Sequence, residues 1–175
     1  MNQPLLATER VKQFGVSLIF SASFILILGA GFAVSADAQT APPGPSPSRQ
    51  AIEVRKAVFT LIANNFKPVG EVLQGKAQYD AAEIQKRTAR VAFLSELVGE
   101  GFPDASNTGL PDTKAKAEIW TDRASFDKKV KEFREHAATL AQVSAKETTA
   151  SDAFKAAAAA VGQDCKGCHE AFKVK

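Results

Sequence analysis

After its first residue the chain has no methionine, because the single Met is Met1. It has two cysteines, two histidines, one tryptophan and one tyrosine in 175 residues. The body of the chain can therefore offer no thioether to a metal. Two cysteines are too few for a disulfide framework. A four-ligand zinc site would consume every cysteine and histidine present. The net charge is only +3, and no Lys/Arg cluster tracks one face of a predicted helix. That pattern argues against a nucleic-acid partner. Period-two alternation is also missing, so no segment needs to be a strand. No nucleophile–base pair, carboxylate pair or phosphate loop stands out, so nothing points to an enzyme.

The N-terminus has a polar start with Arg10 and Lys12, then an uncharged, mostly apolar run from Phe14 to Ala36. The run closes on Ala36-Asp37-Ala38, a small-x-small cleavage pattern. Residues 1–38 are therefore read as an export signal leading to the periplasm. An uncleaved membrane anchor is the alternative, although Ser21, Ser23, Gly29 and Gly31 interrupt the run. Cleavage removes Glu9 and Asp37 together with Arg10 and Lys12, so the mature charge is unchanged. In that oxidising compartment two free thiols would be oxidised unless something else holds them. Residues 39–48, within "TAPPGPSPSRQ", read as a Pro/Ser-rich disordered tether, and residues 49–175 as one folded domain.

Apolar spacing predicts four helices in that domain. The first runs from about Arg49 to Leu73, carried by Ile52, Val58 or Phe59, Leu61 or Ile62, and Phe66. Pro68 is expected to kink it or end its regular part, and Gly75 to punctuate its end. The second opens at Asp80, with Glu83 three residues later, and carries Ile84, Thr88, Val91, Leu94 and Val98. A long Gly/Pro/Asn/Asp-rich connection follows. The third begins near Thr121 or Asp122. Its seam is Phe126, Val130, Phe133, Ala137, Leu140 and Ser144. The fourth begins near Thr149, with Phe154, Ala158, Val161, Cys165, Cys168 and Phe172 on one face. The fold class is all-α, an antiparallel four-helix bundle with a long connection between the second and third helices.

Both cysteines and one histidine sit in "QDCKGCHEAF". Cys165 and Cys168 lie on the apolar face of a long helix, and His169 follows Cys165 by one turn. A thiol–disulfide switch wants its pair at a helix N-terminus on a βαβ scaffold, which is absent here. Zinc lacks ligands, since His136 lies just off the third helix's seam and is expected to be solvated. C-x-x-C-H is the attachment pattern of a c-type haem. Thiols at i and i+3 can reach two vinyl groups on one side of a porphyrin, and the next residue brings its imidazole under the iron.

With "GKAQYDAAEIQ", "AEIW" and "CKGCHEAFK" in their places, the chain from about Arg49 to Lys175 resembles the class II c-type cytochromes, specifically the cytochrome c prime family. The resemblance implies one covalent haem c with its iron, held by Cys165, Cys168 and the axial ligand His169. It places the apolar Phe59 over the other side of the iron, Arg55 against a propionate and Lys173 beside the imidazole. It also implies binding of NO and CO, a homodimer through the first two helices, and possible redox partner proteins. The usual second axial ligand is methionine or histidine. Export leaves no methionine, and His136 is on the wrong helix. A five-coordinate iron is therefore expected. The alternatives are a six-coordinate electron carrier and a haem-free thiol–disulfide protein. Trp120 is expected to pack in the core or near the haem edge.

Overall fold

The computed structural model describes residues 44–108 and 113–175. The expected export signal, and all of the tether before Gly44, lie outside those residues. Among the described residues the chain is helical, with no strand and no helix long and apolar enough to cross a membrane. Helix α1 spans Pro47–Leu73, α2 Ala81–Glu96, α3 Glu118–Thr121, α4 Arg123–Ser144 and α5 Asp152–Phe172. Two 3₁₀ turns, Gly99–Gly101 and Asp104–Ser106, precede α3. The long helices α1, α2, α4 and α5 make the four-helix bundle. Short turns join α1 to α2 and α4 to α5, which makes each pair antiparallel. Helix α2 packs on α1 and α4, and α4 packs on α5. The α1–α5 side is the loosest of the four.

Local chemistry sets the helix ends. The Ser46 hydroxyl accepts from the Arg49 N–H at 3.3 Å, with Pro47 in the first turn. Helix α1 therefore starts two residues before the expected boundary. It also runs through Pro68 rather than ending there. Proline removes the N–H that would reach the Asn64 carbonyl. That carbonyl instead accepts from Arg87 Nη1 of α2 at 3.2 Å. Gly75, at φ 69°, then closes α1. Its N–H donates to the Val72 carbonyl at 3.0 Å, and the Lys76 N–H to the Glu71 carbonyl at 2.8 Å. This double bond pattern satisfies carbonyls the helix leaves open. Asp80, Asp122 and Ser151 cap α2, α4 and α5 through their side-chain oxygens.

The core follows the apolar spacing. All six seam positions of α4, from Phe126 to Ser144, are buried. In α5, Phe154, Ala158, Val161 and Phe172 are buried, whereas Cys165 and Cys168 are half-buried. The open choices in α1 resolve to Val58 and Ile62 inside, with Leu61 exposed and Phe59 and Phe66 half-buried. Ile119, in the single turn of α3 that the spacing does not predict, is 1 % exposed and anchors the connection.

Two close approaches fix that connection. Its Lys116 N–H donates to the Phe172 carbonyl at 3.0 Å, and the Val174 N–H donates to the Lys114 carbonyl at 2.8 Å. Gly101 meets α1 so closely that a Cβ there would lie 2.4 Å from Arg55 Cβ and 3.1 Å from Arg55 Cα. No larger residue fits without moving helix or turn. Gly101→Ala is therefore expected to destabilise the protein by about 1–3 kcal/mol. Urea unfolding checks this: the midpoint falls at unchanged slope. An unshifted midpoint contradicts the close approach.

Candidate haem site

The loose α1–α5 side holds a cavity of about 770 Å³, within the usual range of cofactor pockets. Its walls are mostly apolar. Helix α1 supplies Phe59 and Phe66, and the connection supplies Phe102, Ala115 and Ile119. Helix α4 supplies Phe126, Val130 and Phe133. Helix α5 supplies Cys165, Cys168, His169 and Phe172. The face of α1 that lines the pocket repeats every three to four residues, so Phe59 and Phe66 stand two turns apart on it.

All six residues expected from the sequence line this one cavity: Arg55, Phe59, Cys165, Cys168, His169 and Lys173. Phe59 is half-buried and meets Phe102 edge-on at 6.3 Å. Arg55 is not a solvated helix residue but is 4 % exposed. Its Nη2 donates to Thr113 Oγ1 at 2.8 Å, and its guanidinium lies 4.9 Å from the Phe102 ring centre and 5.9 Å from that of Trp120. It lies against both rings at the cavity wall. Trp120 stands behind it, donating from Nε1 to the Pro103 carbonyl at 3.2 Å, and does not line the cavity. Lys173 is exposed but its backbone is not frayed. Its N–H donates to the His169 carbonyl at 3.1 Å, and it forms an isolated β-bridge with Ala115.

The two thiols are free and not activated. Burial first, then the Asp164 carboxylate and Cys168, push the Cys165 thiol up to about 11. Burial also raises Cys168, with Asp164 adding to it and the Lys129 ammonium opposing. Both lie in the last turns of α5, where the helix dipole disfavours a thiolate. That environment is the reverse of a thiol–disulfide catalyst's. Partial burial, and then Lys173, hold the His169 imidazole below its ordinary value, so it is neutral at pH 7 and able to ligate. Among the described residues no three His, Cys, Asp or Glu side chains cluster to hold a bare metal ion. Two protonated thiols, a neutral imidazole, aromatic walls and a buried guanidinium fit a covalently held haem.

His136 is half-exposed, as its position off the seam predicts, but it is not simply solvated. Its Nδ1 lies 2.8 Å from Asp164 Oδ2, which ties α4 to α5. Sequence reasoning missed Phe66, Phe102, Thr113, Lys129 and Asp164. The seven-residue step from Phe59 could have found Phe66. Phe102 and Thr113 sit in the irregular connection, where no periodicity points to them.

In haem-free protein, alkylation of Cys165 by iodoacetamide is expected to be slow at pH 8. It should rise about tenfold per pH unit until pH approaches about 11. The sign follows from the shift: a raised thiol pKa leaves little thiolate at neutral pH. A rate at pH 8 equal to that of free cysteine contradicts the protonated, buried thiol.

Comparison with known proteins agrees with this geometry. The protein-family model described as Cytochrome C' matches residues 50–173. The chain is 40% identical over 126 residues to cytochrome c' of Rubrivivax gelatinosus, covering 71% of this chain and 95% of that protein. It superposes on cytochrome c prime from Shewanella frigidimarina with a TM-score of 0.69 at 43% identity, covering 75% of this chain and all of that one. A nitric oxide complex of a single-site variant of cytochrome c prime from Alcaligenes xylosoxidans gives a TM-score of 0.65 at 32% identity, covering 75% of this chain and 100% of that one. Members of this family carry covalently attached c-type haem with its iron. Match, fold and site together place the chain in the cytochrome c prime family.

Proposed function

We propose that this is an exported haem protein, working in the periplasm, that binds NO and CO at a five-coordinate iron and passes single electrons. One observation carries the reading. Cys165, Cys168 and His169 open on an apolar cavity, while His136 lies outside it and is bonded to Asp164. The mature chain then has no second strong axial ligand to offer. The nitric oxide complex of the Alcaligenes relative supports the choice of ligand.

Each residue has a task. Cys165 and Cys168 would hold the ring by thioether bonds, and His169 would give the iron its imidazole. A haem held by these residues would supply binding of a small neutral molecule. Phe59 would be the apolar lid over the bound molecule. It offers no hydrogen bond to dioxygen, which disfavours O₂ storage. Arg55 would bind a propionate by charge-assisted hydrogen bonds. Burial first, and then the charge of Lys173, favour the neutral imidazole. Among the described residues the walls hold no acid–base pair placed for peroxidase chemistry, and the protein is not read as an enzyme.

The test uses mature protein from the periplasm, whose N-terminus is expected at Gln39. Ferrous absorption and resonance Raman spectra should show five-coordinate high-spin haem and a new Soret band under NO. Phe59→Ala should raise CO affinity by about tenfold or more. A six-coordinate low-spin spectrum sinks the reading, and so does a missing pyridine haemochrome.

A homodimer through α1 and α2 belongs to the same proposal. Leu61 is 48% exposed and Phe93 68% exposed beside a groove shared by the two helices. Sedimentation equilibrium is expected to give twice the chain mass. A monomer at micromolar concentration overturns the dimer alone.

A further inference from the structure

Asp164 is the one acidic side chain on the cavity lining, and it precedes Cys165 in sequence. Its side chain is 14% exposed, in a mostly apolar wall. A carboxylate so enclosed is costly without compensation. The compensation comes from another helix. His136 of α4 is 46% exposed and does not line the cavity, and its Nδ1 meets Asp164 Oδ2 at 2.8 Å. The pair therefore has one member at the cavity wall and one within reach of solvent protons. The charge of Asp164 is felt where the ring would be held. Burial leads in raising the Cys165 and Cys168 thiols, and the Asp164 carboxylate adds to it at both, with Lys129 opposing at Cys168.

The charged groups around the pair come from every side. On α4, Glu132 is reached by Lys128 at 3.9 Å and Glu135 by Lys131 at 2.8 Å. On α2, which packs against α4, Arg134 of α4 meets Glu96 at 3.5 Å, and Glu83 is engaged by Lys86 and Arg87. On the cavity lining stand Lys56 and Lys67 of α1, Lys114 of the connection, Lys129 of α4 and Lys173 after α5. Ordinary carboxylates and ammoniums keep one charge between about pH 5 and about pH 8, whereas an imidazole changes its charge there. The chain has two histidines, and the haem reading commits His169 to the iron. That leaves His136 as the switchable charge beside Asp164.

We infer that His136 and Asp164 form a proton-binding site coupled to the haem, so that the protein takes up a proton as it takes up an electron. The inference rests on the haem reading above. Facing a carboxylate, Nδ1 of the neutral imidazole carries the hydrogen, and Nε2 is left to accept the proton. With His136 neutral, Asp164 keeps its full negative charge beside Cys165, which favours the ferric state. With His136 protonated, that charge is balanced and the ferrous state gains. The coupling is reciprocal: reduction tightens the hold on the proton by the factor by which the proton favours reduction. The balance is one electron and up to one proton. A one-electron reductant, such as a reduced viologen, is oxidised as ferric iron becomes ferrous. Solvent supplies the proton, and the N–H bond at His136 Nε2 is the only bond formed.

The test uses mature holoprotein in a spectroelectrochemical cell. The equilibrium constant for reduction should be about threefold or more larger at about pH 5 than at about pH 8. Histidine-selective NMR should show His136 holding its proton more tightly in the ferrous than in the ferric protein by the same factor. His136→Gln cannot be charged and should keep the constant near its alkaline limit at every pH. His136→Lys is always charged and should keep it near its acid limit. Both variants remove the same ring, so a clasp with only a structural role would move them in the same direction. Asp164→Asn should raise the alkaline limit and shrink the pH dependence. Shifts of the two His136 variants in one direction overturn the coupled site. So does a pH dependence that survives His136→Gln in full, as titrating propionates alone would give. Equal hold on the His136 proton in the two redox states overturns it with no variant needed. A missing pyridine haemochrome instead overturns the haem reading, so the two failures are distinguishable.

Discussion

The 3.6-residue repeat of α5 joins core and chemistry in one element. The face that buries Phe154, Ala158, Val161 and Phe172 also turns Cys165 and Cys168 toward the cavity. His169, next in sequence, follows Cys165 by one turn and lines the same space. A one-residue shift in that register would carry both thiols off the cavity face. The seam is held on its other side by α4, whose Phe126 meets Phe172 edge-on at 5.5 Å. Stability and haem attachment therefore draw on the same contacts.

The cavity separates two kinds of environment. Inside, aromatic rings from α1, α4, α5 and the connection line the walls, and burial keeps both thiols protonated. One cation, Arg55, enters that interior, and it does so against Phe102 and Trp120 with a hydrogen bond to Thr113. Lys56, Lys67, Lys114 and Lys173, also on the lining, are exposed. A buried charge is costly without compensation, whereas exposed charges cost little and act at a distance. The interior arrangement suits holding a ring.

Periodicity made most of this legible. The six-residue seam of α4 was readable because Phe126, Val130, Phe133, Ala137, Leu140 and Ser144 keep their step without a break. The haem motif was readable because C-x-x-C-H is local. Leu61 and Ile62 could not be separated, because adjacent apolar residues fit the same pattern and only the partner helices decide which faces inward. Pro68 left a kink or an end open for a related reason. Its cost is local, but the guanidinium of Arg87 that satisfies the freed carbonyl comes from another helix. The burial of Arg55 and the pairing of His136 with Asp164 both join residues far apart in sequence.

The long connection is where sequence pattern was weakest and where structure adds most. A flexible tether between α2 and α4 would need only to span their ends, and extra length adds little closure entropy. This segment does more. Phe102, Ala115 and Ile119 wall the cavity, and Thr113 receives the Arg55 hydrogen bond. Gly101 lets its turn lie against α1, while the backbone bonds of Lys114 and Lys116 hold the residues that follow His169. The connection thus ties α1 to the end of α5 across the side where those helices pack least. The loose side can stay open enough to admit a large ring without losing its width, because a segment with no helical periodicity sets the distance between its walls.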